Sequence, residues 1–191
     1  MLQLNNCFIQ GVNMKQRGFT LLELLITIAI LAILATLSFS GNTDLNEKTR
    51  AESFMLELKR HITFARAKAT TSDEIVILCP VDATKLAANE NLSCINNWKT
   101  NQIISFIDKN NNGTYEVEDD DLLRVMNELF SSDNLKAPDR RLRFDSSGRV
   151  VNTNVGQFIY CPLNQTKHAK ALTLTLGGTA LYNGDSSTGC S

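Results

Sequence analysis

Histidine, tryptophan and proline are scarce in this chain, with two, one and three residues among 191. The two histidines, His61 and His168, fall in no triad or ligand pattern, which argues against a His-rich metal centre. A Gly-x-Ser-x-Gly elbow, a phosphate loop, a dinucleotide fingerprint and a C-x-x-C pair are all missing. Their absence removes the commonest nucleophile, nucleotide and zinc-knuckle chemistries. Charge of one sign is missing too: 19 basic against 20 acidic residues leave a net charge of −1. Such a balance gives no overall basic field for coating nucleic acid. With 43% hydrophobic and 20% charged residues the composition is that of a folded chain, not a disordered one. The length suits one domain of ordinary size. Nothing here points to an enzyme or to a bound cofactor.

What the sequence does have is an asymmetry. Phe19 to Phe39 reads FTLLELLITIAILAILATLSF, and its only charge is Glu23. About 20 apolar residues cross a bilayer as a helix. Lys15 and Arg17 precede the run, and the first charges after it are Asp44 and Glu47. The basic flank places the N-terminus in the cytoplasm and the remainder outside. Two ordinary readings are a cleaved secretory signal and a plain anchor. A signal's apolar region is roughly 7–15 residues and ends in a small-x-small site. This run is longer, starts directly after a glycine and carries a carboxylate near its start.

The stretch Lys15-Gln16-Arg17-Gly18, followed by Phe19-Thr20-Leu21-Leu22-Glu23, resembles the class III leader of type IV pilins and type II secretion pseudopilins. The resemblance implies that a prepilin peptidase cuts between Gly18 and Phe19, methylates the new N-terminal Phe19 and leaves the apolar helix on the mature protein. Residues 1–18 would be the leader, with Met14 a better start than Met1 and with Cys7 lost on cleavage. Residues 19–40 would be the transmembrane and filament-core helix, and residues 41–191 a periplasmic head that includes the second half of the helix. A carboxylate inside a membrane helix costs roughly 2.5–3.5 kcal/mol and is rarely left without a partner. The resemblance supplies one for Glu23: the N-terminal amine of a neighbouring subunit.

Beyond the membrane, Ala51, Met55, Leu58, Ile62, Ala65 and Ala69 recur in alternating steps of four and three. That is one apolar stripe at helical period, suited to lying across a sheet. A helix from Phe19 to Ala69 would be about 75 Å long, with Ser40-Gly41-Asn42 as a possible bend. The period then shortens. Candidate strands are 74–79, 102–108, 122–126, 141–145, 149–151, 157–161, 171–176 and 179–182, separated by Asn110–Gly113, Ser146–Gly148, Gly177-Gly178 and Asn183-Gly184. The predicted fold class is α+β, a long N-terminal helix packed on an antiparallel sheet. This is the lollipop expected of a pilin.

Omitting Cys7 leaves Cys79, Cys94, Cys161 and Cys190. An even count outside the inner membrane argues for disulfides, and four cysteines permit three connectivities. Closure of local loops favours Cys79 with Cys94 and Cys161 with Cys190. The spacing suits zinc poorly. Ile77-Leu78-Cys79-Pro80, Cys94 with Trp98, Ile104–Asp108, Ser147-Gly148-Arg149 and Phe158–Cys161 together resemble the FimT/FimU minor pilins, which share a domain family with the pseudopilin GspH.

Two further features carry candidate chemistry. Asp108, Asn110, Asn112 and Asp119 fall at calcium-loop spacing around Gly113, although the flanks read as strands and Asn-Asn-Gly is also a turn signal. Arg140, Arg141, Arg143 and Arg149 form a basic cluster that suits DNA phosphates. FimT proteins implicated in DNA uptake carry a Gly-Arg-x-Arg motif, however, and here the matching stretch, Leu176–Leu181, has no arginine. The resemblance implies a minor pilin that initiates or supports a type IV pilus, including functions such as twitching motility. The alternatives are a GspH-type pseudopilin of type II secretion and a tip subunit that binds DNA. Implied partners are other pilins or pseudopilins, the prepilin peptidase and the inner-membrane assembly platform. The expected location is the inner membrane with a periplasmic head, then the pilus or pseudopilus.

Overall fold

The computed structural model describes residues 18–39, 42–99, 101–151 and 153–190, without the side chains of 36–39, 42 and 43. Met14, Lys15, Arg17, Cys7 and the Ser40-Gly41 bend therefore lie outside the described residues. Contacts group the chain into two units that meet between Asn42 and Thr43.

The first unit holds α1 (Leu21–Phe39), a helix whose described side chains are all exposed. The sequence predicts a membrane-spanning helix from Phe19. The helix begins at Leu21, two residues into that run, and its 19 residues rise about 28 Å, close to the ~30 Å of a hydrocarbon core. Among the described residues no helix is long and apolar enough to cross a membrane.

The second unit opens within α2 (Asn42–Ser72), at Thr43. All six residues of its apolar stripe, Ala51, Met55, Leu58, Ile62, Ala65 and Ala69, are completely buried. Three of the six are alanines, which let the helix axis approach the sheets closely. Ten strands follow: β1 (Val76–Val81), β2 (Leu92–Ser93), β3 (Gln102–Ile107), β4 (Thr114–Tyr115), β5 (Asp121–Met126), β6 (Asn134–Lys136), β7 (Leu142–Phe144), β8 (Gln157–Cys161), β9 (Lys170–Leu174) and β10 (Ala180–Asp185). A short helix, α3 (Ala83–Ala87), is capped by Asp82, whose carboxylate accepts the Thr84 N–H at 2.8 Å. A 3-10 turn covers Pro162–Asn164.

The antiparallel sheet foreseen from sequence is divided into two four-stranded sheets, ordered β5-β3-β1-β7 and β10-β9-β8-β6, with β2 and β4 as a separate pair. Both four-stranded sheets place residues in the core under α2: Val76, Leu78, Ile103, Leu142 and Phe144 from the first, and Phe158, Tyr160, Leu172 and Leu174 from the second. The first sheet is covered on its far face too. Ile77, Cys79, Val81, Ile104 and Phe106 pack there against Leu92 and Tyr115 of the small β2–β4 pair. With both faces covered, all six residues of β1 are buried, which explains its continuous apolar run.

The expected strand at 149–151 is reduced to one bridge, Phe144 to Val150. Its chain reverses too tightly for more. The Asp145 carboxylate accepts the N–H groups of Ser147 and Arg149 at 3.0 and 2.9 Å, and Gly148 adopts φ +73°. Gly178, in the turn between β9 and β10, has φ +74°, and a Cβ there would lie 2.2 Å from the Gly148 carbonyl oxygen. The two turns touch backbone to backbone. Arg66 of α2 clamps them by donating to the Gly148 carbonyl at 3.2 Å and the Thr179 hydroxyl at 3.4 Å.

Candidate functional site

Two regions carry the candidate residues, the start of α1 and the surface of the head. At the first, Gly18 has open space around it, and an added Cβ would meet nothing within 4 Å. Phe19 is 81% exposed. The Thr20 hydroxyl accepts the Glu23 N–H at 3.2 Å, satisfying one of the free donors of the first helical turn. Glu23 lies in that turn, where the helix dipole favours a carboxylate. Leu21, Leu22, Leu24 and Leu25 are each more than half exposed. The segment thus presents an accessible Gly-Phe bond, an acidic group one turn later and an exposed apolar surface.

In the head, disulfides join Cys79 to Cys94 and Cys161 to Cys190, with Cα atoms 5.6 and 6.1 Å apart. The first ties β1 to the segment after β2. The second brings Cys190 onto the face of β8 that points away from α2, beside Ile159 and Ala169.

The calcium-spaced loop is closed by its own hydrogen bonds. The Asp108 carboxylate, 2% exposed, accepts the N–H groups of Asn112 and Gly113, each at 3.0 Å. Asn110 and Asn112 both donate to Glu116, at 2.5 and 3.0 Å. Asp120, rather than Asp119, turns inward, accepting from Lys109 N–H and Glu116 N–H at 3.0 Å. The basic cluster is split as well. Arg143 is buried and donates to Asn111, and Arg141 reaches the Gly113 carbonyl at 3.5 Å. Arg140 and Arg149 are exposed. Two of the four arginines therefore brace the 108–120 loop instead of lying open to a phosphate chain.

Sequence reasoning missed the most heavily bonded group of the head. Asp133 has no exposure, yet it accepts from Arg50 Nε and Nη2 at 2.7 and 2.9 Å, Leu163 N–H at 3.0 Å, Ser132 Oγ at 3.0 Å and the Tyr160 hydroxyl. Burial alone would raise this carboxyl. The hydrogen bonds from Tyr160, Leu163, Arg50 and Ser132 outweigh it and hold the group below the usual carboxylate range. Burial and the Asp133 charge push the Tyr160 hydroxyl far up. Phe54 stacks on Tyr160, and the Arg50 guanidinium lies 4.7 Å over Phe130.

Among the described residues one group of three metal-ligating side chains comes together, Asp44, Glu47 and His168, with their ligand atoms within 4.8 Å of one another. Lys167 already pairs with both Asp44 oxygens, at 2.6 and 2.8 Å, and this pairing holds the Asp44 carboxyl below its usual range.

Comparison with known proteins bears on both regions. Residues 13–39 match the prokaryotic N-terminal methylation motif, and residues 56–179 match the family described as type II transport protein GspH. No curated protein matches the chain. Among solved structures it is similar to the type IV minor pilin FimU of Pseudomonas aeruginosa strain PAO1 in two crystal forms. The first gives a TM-score of 0.58 at 16% identity, covering 77% of this chain and 99% of that one. The second gives 0.55 at 16% identity, covering 73% and 99%. At that identity the likeness shows the fold. The GspH match runs through most of the head, from α2 to the turn before β10, and on that ground the chain belongs to the GspH family of pilin-like proteins, with an N-terminal methylation motif ahead of its head domain.

Proposed function

We propose that this chain is a minor pilin of a type IV pilus, a structural subunit that acts by assembly and not by catalysis. The observation that carries the reading is one chain holding a methylation motif at residues 13–39 ahead of a head with the fold of FimU. In this reading the peptidase cuts between Gly18 and Phe19 and methylates Phe19. The apolar segment from Phe19 anchors the chain in the inner membrane, with residues 41–191 in the periplasm, until the filament takes it up. The exposed apolar surface of α1 is then buried against neighbouring helices, and Glu23 pairs with a neighbour's N-terminal amine. The subunit works in initiating or supporting the pilus, and hence in motions that depend on it.

Mass spectrometry of the mature chain from sheared filaments tests the reading. N-methyl-Phe19 is the expected terminus. A chain cut after Ser38 or Ser40, or left uncut, overturns it. The GspH description of residues 56–179 favours a second reading, a pseudopilin of type II secretion. Deleting the gene separates the two: loss of surface pili supports the first, and loss of protein export with pili intact supports the second.

A further inference from the structure

Along one side of α2 a groove opens between the helix and β5. Leu56, Phe64 and Ala67 form its apolar part, and every charged group lining it is a cation: Lys59, Arg60 and Arg124. Among the described residues none of the three has a carboxylate within 4.0 Å. Arg124, on β5, lies 3.5 Å over the ring of Phe64 and so forms a wall of the groove.

The neighbouring strand is open. Among the described residues β5 is the outermost strand of its sheet, so one row of its backbone N–H and C=O groups has no strand beside it there. Edge strands are usually kept short or otherwise protected against pairing. Here β7, at the opposite edge, has three residues, whereas β5 has six, with one bulge at Leu123. Leu122 and Val125 on β5 are 38% and 43% exposed. Met126 belongs to the core under α2, while Ile104 and Phe106, the partners of Val125 and Leu122, face the opposite side. The bulge at Leu123 puts Leu122 and Val125 on one face, so a strand laid beside Arg124–Met126 would send alternate side chains into the groove and over Val125.

We propose that the groove and the free edge of β5 together receive an extended, acidic segment of another pilin subunit, which adds to the sheet as a further strand. This rests on the pilin reading above. Backbone pairing along β5 supplies the affinity, and the side chains entering the groove supply the selectivity. Three unpaired cations and no acid in the groove select Asp or Glu at those positions. A second copy of this chain is a poor occupant, because antiparallel pairing of two β5 strands would bring both sets of cations together.

The test uses the full-length chain in cells that assemble the filament. A photo-reactive p-benzoylphenylalanine replaces Val125, or Leu181 as a control of similar exposure on β10. The expected result is a cross-link from position 125, much stronger than from 181, to an Asp/Glu-rich extended segment of another subunit that carries a methylation leader. Reversing the groove charge with Lys59→Glu, Arg60→Glu and Arg124→Glu should lower that yield about tenfold, with cleavage at Gly18 unchanged and the head still unfolding in one cooperative transition. The proposal is overturned if the chain enters filaments while position 125 cross-links no better than 181. It is equally overturned if the captured partner is a second copy or a nucleic acid, or if charge reversal has no effect. A chain processed and anchored but never found in filaments overturns the pilin reading itself, and this proposal with it.

Discussion

Asp133 shows how one residue holds several segments. Its carboxylate joins α2 through Arg50, β8 through Tyr160 and the 3-10 turn through Leu163. Replacing it with Asn leaves the guanidinium without its counter-charge. Breaking a buried pair costs roughly 3–5 kcal/mol, and the lower end applies because the Arg50 side chain stays 25% exposed. Denaturant unfolding of the full chain in detergent measures this. The pH dependence has a fixed sign. The folded carboxyl titrates below its unfolded value of about 3.9, so its contribution is complete above that pH and is lost as acid protonates the folded group. Asp133→Asn should remove the part of the acid sensitivity that lies below about pH 4. His61 acts in a higher range. Burial lowers its pKa first of all, Arg124 and Arg60 add to this, and Glu57 opposes. Because the folded group binds its proton less readily, stability should fall as the pH drops below about 6.5 and level off below the folded pKa. A His61→Gln variant should flatten that step in a plot of unfolding midpoint against pH.

Among the elements, the contact between two turns makes the clearest test. Gly178→Ala meets an unfavourable φ and a backbone oxygen that cannot step aside. Strain of about 1–3 kcal/mol is then joined by displacement of the turn. Gly184→Ala shares a positive φ, at +82°, but has nothing within 4 Å. Thermal unfolding should therefore show a clearly larger loss at 178 than at 184. Much of this architecture was legible in the sequence. The apolar stripe of α2 is the buried stripe, and β8 spans the residues that alternation marks, 157–161. The misses have physical causes. β2 and β4 have two residues each, too few to show a period. The division into two sheets depends on β7 pairing with β1, where Phe144 faces Val76 across a long stretch of chain, and local patterning cannot report such a contact. Asp133 lies in Ser131-Ser132-Asp133-Asn134, which reads as a solvated loop, and Asp120 lies in the acidic run Glu118–Asp121, of which it alone turns inward. The capped helix α3 could have been found: Asp82, two residues ahead of Thr84, is an N-cap signal.

For the whole molecule, the proposed pairing of Glu23 with a neighbour's amine sets two demands against each other. In Glu23→Ala or Glu23→Val the penalty for burying a carboxylate disappears, so membrane anchoring should be unchanged or stronger. In the filament the neighbour's amine would be left unpaired, at roughly 3–5 kcal/mol. Fractionation should find the variant in membranes at normal levels or above and depleted from sheared filaments. Normal incorporation would mean that Glu23 is not the partner of that amine, and depleted membranes would indicate a processing or folding defect. The two disulfides lead to a different kind of consequence. Each lies with residues on the face of its sheet turned away from α2, and neither reaches the core that the helix shares with both sheets. Under a mechanical load drawn through α2, the covalent links would keep β1 tied to the segment after β2 and β8 tied to the segment after β10, while the seam along the helix, held without any covalent link by packing and by the contacts of Asp44, Arg50, Phe64 and Arg66, would part first. Such a head fails at a zipper that can close again once the tension is gone.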